Sequence, residues 1–170
     1  MDGIDEHCRT LVEGYKCATI DSETNNEEDC DAQTVSYNTF NFFASSPENL
    51  ETDCIALNPG SVCAQRACQI EGLFTLTFFG FTFSGIETSP LFDANHVHIS
   101  AGGTFDPEVE CAGLANPVRS ATECCGSYHE GRKPFRLDSG FTTRSCCTDT
   151  IINDFIQECC VGLPVNIGSC

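Results

Sequence analysis

Positive charge is what this sequence has least of. Eight Lys and Arg stand against 25 Asp and Glu in 170 residues, a formal charge of −17. Neutralising phosphates requires a basic footprint, so the balance argues against a nucleic-acid partner. It argues equally against docking on an anionic membrane surface. No C-x-x-C occurs among the fourteen cysteines, which removes the thioredoxin-type redox motif and the usual zinc-knuckle spacing. There is no N-x-S/T sequon, so N-glycans are not predicted; the Ser/Thr-rich stretches leave O-glycans open. G-x-S-x-G, H-E-x-x-H and G-x-x-x-x-G-K-[ST] are all missing, which takes away the common hydrolase, zincin and P-loop chemistries. The richest apolar run, Leu73 to Phe83, is short and broken by Gly80 and three Thr, and does not predict a membrane span. Met1 to Glu6 has neither the basic nor the apolar region of a signal peptide, and the chain reads as a mature or partial piece whose leader is missing.

What is present is sulfur. Cys8, Cys17, Cys30, Cys54, Cys63, Cys68, Cys111, Cys124, Cys125, Cys146, Cys147, Cys159, Cys160 and Cys170 are an even set, about 8 % of the chain. Up to seven disulfides follow, and with them an oxidising, extracellular compartment. Adjacent cysteines rarely bridge each other, because the small ring strains the intervening peptide. The doublets Cys124-Cys125, Cys146-Cys147 and Cys159-Cys160 therefore predict a knotted C-terminal segment in which each thiol reaches a different partner. The alternative, a metallothionein-like thiolate cage, fits poorly with thirteen Phe and with the scattered N-terminal cysteines. Disorder fits poorly with 41 % hydrophobic residues.

The expected fold class is a small disulfide-rich α+β domain with one central helix at about 61–84, short strands and much irregular structure. Residues 1–53 read as an acidic, extended N-terminal arm; residues 54–170 read as the disulfide-rich core domain, including the dicysteine segment 111–170. Within the arm, the run Asp21 to Ala32 alternates oxygen ligands as a calcium loop does. Its sixth position is Asn26 and its twelfth Ala32, where an EF-hand needs Gly and Glu. The expectation is a solvated acidic loop, with calcium kept as the alternative. Thr34 to Phe43 alternates partly and predicts an extended, strand-like segment.

In the core domain, Pro59-Gly60-Ser61 offers a turn and an N-cap, and Val62 to Glu71 opens a helix. Beyond it the pattern supports two readings. Ile70, Phe74, Phe78 and Phe81 share a helical stripe, while Phe74, Leu76 and Phe78 alternate with Thr75 and Thr77 as a strand would. The continuous lead-in favours a helix through Ser84. His96 and His98 share one face of an extended segment with Asp93 nearby, but no third metal ligand is fixed by spacing. Ordinary surface histidines are expected, and no metal or cofactor is assigned.

Charge is unevenly placed. Residues 1–60 hold thirteen acids and two bases, whereas Arg119 to Arg144 holds five bases and three acids. An acidic front and a basic back let one copy meet the next head to tail, and such heterologous contacts build open filaments when the rotation does not close. Phe40, Phe42 and Phe43 of the arm, with Arg132, Lys133 and Arg136 of the basic back, are the candidate interface residues. Cys8 and Cys170, near the two ends, are candidates for an inter-subunit bridge.

No catalytic residues emerge. In Cys124-Cys-Gly-Ser-Tyr-His129 the histidine is one residue late for the secreted phospholipase A2 pattern, Glu130 stands where Asp is needed, and no glycine-rich calcium loop precedes it. A nucleophilic cysteine would have to be unpaired and electropositively activated.

The segment Glu123-Cys-Cys-Gly-Ser-Tyr-His-Glu-Gly-Arg-Lys-Pro-Phe, followed by Arg144-Ser-Cys-Cys and Glu158-Cys-Cys, resembles the dicysteine repeats of extracellular matrix proteins of marine invertebrates and protists. Galaxin-like skeletal matrix proteins are a looser relative. Cys63-Ala-Gln-Arg-Ala-Cys-Gln-Ile-Glu-Gly-Leu-Phe and Gly103-Thr-Phe-Asp-Pro are similar to elements that accompany such repeats. The resemblance implies a secreted structural protein without catalytic residues. The expected function is thus a subunit of a self-assembling extracellular filament, sheath or matrix. Its alternative is a monomeric secreted binding module, toxin-, inhibitor- or lectin-like; a hydrolase using carboxylates or calcium comes third.

Overall fold

A computed structural model of the chain describes residues 3–27, 29–40, 46–82, 121–137 and 142–170. Helices α1 (Gly3–Thr24), α2 (Pro47–Leu57) and α3 (Val62–Thr82) come first. Six short strands follow, paired in chain order as three antiparallel hairpins: β1 (Glu123–Cys125) with β2 (Lys133–Phe135), β3 (Arg144–Cys147) with β4 (Thr150–Asn153), and β5 (Gln157–Cys160) with β6 (Leu163–Asn166). A 3₁₀ turn, Tyr128–Glu130, sits inside the first hairpin. The α+β, disulfide-rich class is as expected. The single central helix is corrected to three helices among the described residues.

The N-terminal arm is corrected as well: residues 3–24 are helical rather than extended. Leu11, Tyr15 and Ala18 fall on one face of α1, at the spacing of a buried helical stripe, and meet Ala67 and Ile70 of α3. Gly14 lies in the same face, and a Cβ there would come within 3.1 Å of both Ile70 Cγ1 and Cγ2. Absence of a side chain lets the two helices approach closely. Acidity misleads here because Arg9, Lys16 and Glu23 of α1 stay exposed while Asp21 turns inward to a partner far along the chain.

α3 covers the helix expected at 61–84. Ser61 Oγ accepts the Ala64 N–H at 3.2 Å as its N-cap, and the Thr77 hydroxyl donates back to the Leu73 and Phe74 carbonyls, which settles this stretch as helix rather than strand. α2 begins with Pro47 in its first turn, where the missing N–H costs nothing. Its Leu50 and Cys54 are fully buried with Cys68 of α3.

The strand expected at 34–43 is corrected over its described part. Residues 35–40 pair with no strand; a side-chain amide takes the place of one. Asn58, buried at the α2–α3 corner, accepts the Asn38 N–H at 2.7 Å and donates to the Asn38 carbonyl at 3.1 Å. The segment is thereby pinned flat on the helices, and Val35, Tyr37 and Phe40 turn into the core.

Candidate functional site

The three doublets form one covalent ladder. In an extended strand neighbouring side chains point to opposite faces, so a doublet presents one thiol backward and one forward. Cys124 bonds back to Cys17 of α1, and Cys125 forward to Cys146. Cys147 bonds forward to Cys159, and Cys160 to Cys170. The Cα separations run from 5.3 to 5.8 Å, within the ordinary range for disulfides. Each hairpin is thus linked to the next, and the first is linked to the helices.

Two further bonds staple the helical layer, Cys30–Cys63 and Cys54–Cys68. Thr19 donates to the Cys30 carbonyl and Ser22 Oγ accepts the Cys30 N–H; the end of α1 holds that cysteine in place. Six disulfides are therefore formed among the described residues, where up to seven were expected of the whole chain. Cys8 is unpaired and exposed, and Cys111 lies outside the described residues. Cys170 is not free to bridge a neighbouring chain, because it is already bonded to Cys160.

A polar clamp reinforces the first rung. Asp21, buried on the last turns of α1, accepts Arg132 Nε at 2.8 Å and Nη2 at 3.1 Å. It also accepts the Tyr128 hydroxyl at 2.5 Å, while Arg132 Nη1 donates to the Gly126 carbonyl. The Tyr128 ring has two guanidinium neighbours, Arg66 and Arg132, at 5.8 and 5.5 Å from its centroid. Arg66 in turn forms an ion pair with Glu27, Nη1 to Oε2 2.8 Å, at an angle outside hydrogen-bond geometry. Burial, then the bond to Asp21 and its charge, push the Tyr128 hydroxyl well above the ordinary tyrosine range, against the opposing pull of Arg66 and Arg132.

A second cluster lies in the helical layer. Glu71 of α3 accepts Tyr15 Oη at 3.0 Å on one carboxylate oxygen and Tyr37 Oη at 2.6 Å on the other. Burial first, and Glu71 second, raise both tyrosines. These acids are engaged by hydroxyls and guanidinium groups, and their geometry is that of a structural lock.

The candidate residues fall as follows. Asp21 to Ala32 does not make one loop: Asp21 enters the clamp, Glu27 meets Arg66, and Asp31 caps its own turn through the Gln33 N–H and the Thr34 hydroxyl. Phe40 is half-buried against Leu50, Cys54 and Cys68, and Arg132 is held by Asp21. Lys133 is exposed on β2 opposite Cys125, and Arg136 is half-buried just beyond that strand. Phe42, Phe43, Asp93, His96 and His98 lie outside the described residues. Among the described residues no three His, Cys, Asp or Glu side chains stand together as metal ligands, and no helix is long and apolar enough to cross a membrane. Sequence reasoning missed Asp21, Glu71, Tyr15, Tyr37 and Asn58. Only the Tyr and Arg of the Cys-Cys-Gly-Ser-Tyr…Arg motif carried a signal, and that signal did not name their partner.

Disulfides in this number are the mark of a protein matured under oxidising conditions. Comparison with protein-family models, with curated proteins and with solved structures gives no match.

Proposed function

We propose that this chain is an extracellular structural protein, the subunit of a filament, sheath or matrix built by contacts between unlike surfaces of successive copies. The observation that carries the reading is the doublet ladder. A path of disulfides runs from α1 through all three hairpins to Cys170, so a pull along the hairpins is borne by covalent bonds as well as by strand pairing. Such a device suits a load-bearing, protease-exposed subunit. The resemblance to dicysteine-repeat matrix proteins points the same way, as does the polarity between the acidic front and the basic back. The reading gives the chain no catalytic role and no cofactor.

The test is the oligomeric state of the full, oxidised chain, followed by sedimentation velocity over a wide concentration range and by electron microscopy. Concentration-dependent growth into linear assemblies is expected. A chain that stays monomeric throughout overturns the reading in favour of a secreted binding module.

A further inference from the structure

The second and third hairpins repeat each other at a fixed step. A shift of thirteen residues carries the pair Arg144–Asn153 onto Gln157–Asn166, and Cys147–Thr150 onto Cys160–Leu163. Bonds outside the ladders move by the same step. The Asp154 N–H donates to the Thr143 carbonyl and the Ile167 N–H to the Ile156 carbonyl. The Ile156 N–H donates to Asn153, and the Ser169 N–H to Asn166. The residue after each doublet is left-handed, Thr148 at φ 57° and Val161 at φ 52°. β-Branched residues resist that conformation, so its recurrence at one position marks a shared backbone plan. Only the two cysteines and the closing Asn are common to the two stretches in sequence. Residues 144–156 and 157–169 are thus two copies of one structural module.

The thiols obey the same plan. Each module receives a bond on its first cysteine and sends one from its second: Cys125–Cys146 enters the first module, and Cys147–Cys159 joins it to the next. Cys147 reaches a thiol 12 residues on, and Cys160 reaches one 10 residues on. Cys170 therefore stands almost where the first cysteine of a following module would.

The two modules differ in how far they are covered. Cys147 and Ile152 are 0 % and 2 % exposed, whereas their counterparts Cys160 and Val165 are only half-buried. Asn153 is half-buried and its counterpart Asn166 is exposed. Thr148, Thr150 and Asp154 are replaced by Val161, Leu163 and Ile167, all three exposed. A repeat at the open end of a stack ordinarily turns a polar face to water. Here the order is reversed, and the more exposed module is the more apolar one.

The geometry points to the outer face of β5–β6 as an acceptor surface for a further hairpin of the same plan, with Cys170 standing in for that hairpin's first cysteine. The partner follows from continuity with the contact that β3–β4 already makes with β5–β6. There Cys147 closes the bond to Cys159, and Thr148 Oγ1 donates to the Gly162 carbonyl at 3.0 Å. The stack then lengthens by whole modules, a property of one chain that holds whether or not copies assemble.

The experiment duplicates residues 157–169 in tandem within the full chain, the added copy marked by Val161→Thr so that its peptides are told apart. The product is refolded with reduced and oxidised glutathione. Each bond forms as two thiols lose two protons and two electrons, which reduce oxidised glutathione. Partial-reduction peptide mapping is expected to join Cys160 of the first copy to Cys159 of the second, and Cys160 of the second to Cys170. Amide exchange in β6 of the first copy should slow by about tenfold relative to wild type, because its face is covered. The inference is overturned if the first copy's Cys160 still closes on Cys170, if the added doublet pairs within itself or stays reduced, or if exchange in β6 is unchanged. Should the longer chain misfold, deletion of residues 144–156 decides the matter in reverse. Cys125 is then expected to join Cys159, with Cys17–Cys124 and Cys160–Cys170 kept; failure of both variants to give their maps overturns the inference as well.

Discussion

Asp21 and Arg132, 111 residues apart in sequence, meet as a two-pronged ion pair: Nε and Nη2 of the guanidinium each reach a different carboxylate oxygen, at 2.8 and 3.1 Å. One residue sits near the end of α1 and the other just before β2. Together with Cys17–Cys124, the pair fixes the dicysteine segment on the helical layer. The disulfide sets the distance, and the planar guanidinium sets the orientation.

Breaking this pair from one side leaves a largely buried charge without its partner. Asp21→Asn is expected to cost about 2–3 kcal/mol in urea unfolding of the oxidised chain, below the value for a wholly buried pair because both side chains keep some exposure. Arg132→Lys should recover only part of wild-type stability, since an ammonium cannot span both oxygens. Wild-type stability in both variants would show that the clamp is dispensable.

The ladder makes a connectivity prediction. Peptide mapping of the oxidised chain should join Cys124 to Cys17 and Cys125 to Cys146, with Cys146 never joined to Cys147. Removal of a bridge should cost in proportion to the logarithm of the loop it closes. Cys17–Cys124 spans 107 residues and Cys160–Cys170 spans 10. Replacing each pair by serine is expected to cost about 5 and about 3 kcal/mol respectively. A reversed order in thermal unfolding would count against loop closure as the source of the stability.

Gly131 ends the 3₁₀ turn at φ +95°, and a Cβ there would meet Thr10 Cγ2 of α1 at 3.0 Å. Gly60 has a similar angle, φ +85°, with nothing within 4 Å. Alanine at either position carries backbone strain of about 1 kcal/mol or more. Gly131→Ala adds a collision between the first hairpin and α1, so its melting temperature should fall further than that of Gly60→Ala. Equal losses would mean that hairpin and helix do not touch there.

Alkaline pH should unfold the chain. Tyr15, Tyr37 and Tyr128 are raised above the ordinary value by burial and by their bonds to Glu71 and Asp21. A raised tyrosine holds its proton in the folded state after the unfolded chain has lost it. Their contribution is complete below about pH 10, the unfolded value, and is lost progressively as pH climbs above it toward the folded values. Denaturant titrations between pH 8 and 12 are expected to show stability falling from about pH 10. Tyr15→Phe with Tyr37→Phe should make that fall shallower, and an unchanged slope would exclude these groups as its origin.

Local chemistry was legible wherever it acts between near neighbours. Ser61 as a cap, the helix from Val62, and doublets that look in opposite directions all follow from backbone geometry and side-chain direction. α1 was legible too, since Leu11, Gly14, Tyr15 and Ala18 stand at helical spacing. The surrounding acids drew the reading toward a solvated arm, although charge on the outer face of a helix says nothing against its inner one. The interface residues were harder: Phe40 looked like a ring for a partner and proved to be part of this chain's own core.

Composition and local pattern were enough for a disulfide-rich α+β chain, one helix almost to its ends, and thiols that pair away from their immediate neighbours. Which thiols pair, and that Asp21 meets Arg132 and Tyr128, came only from the folded chain. The reason is physical. Periodicity, capping and strand alternation act over a few residues and are written in order along the chain. A disulfide or a buried ion pair depends on which surfaces meet in space, and residues 17 and 124, or 21 and 132, meet only after three helices and a hairpin have packed.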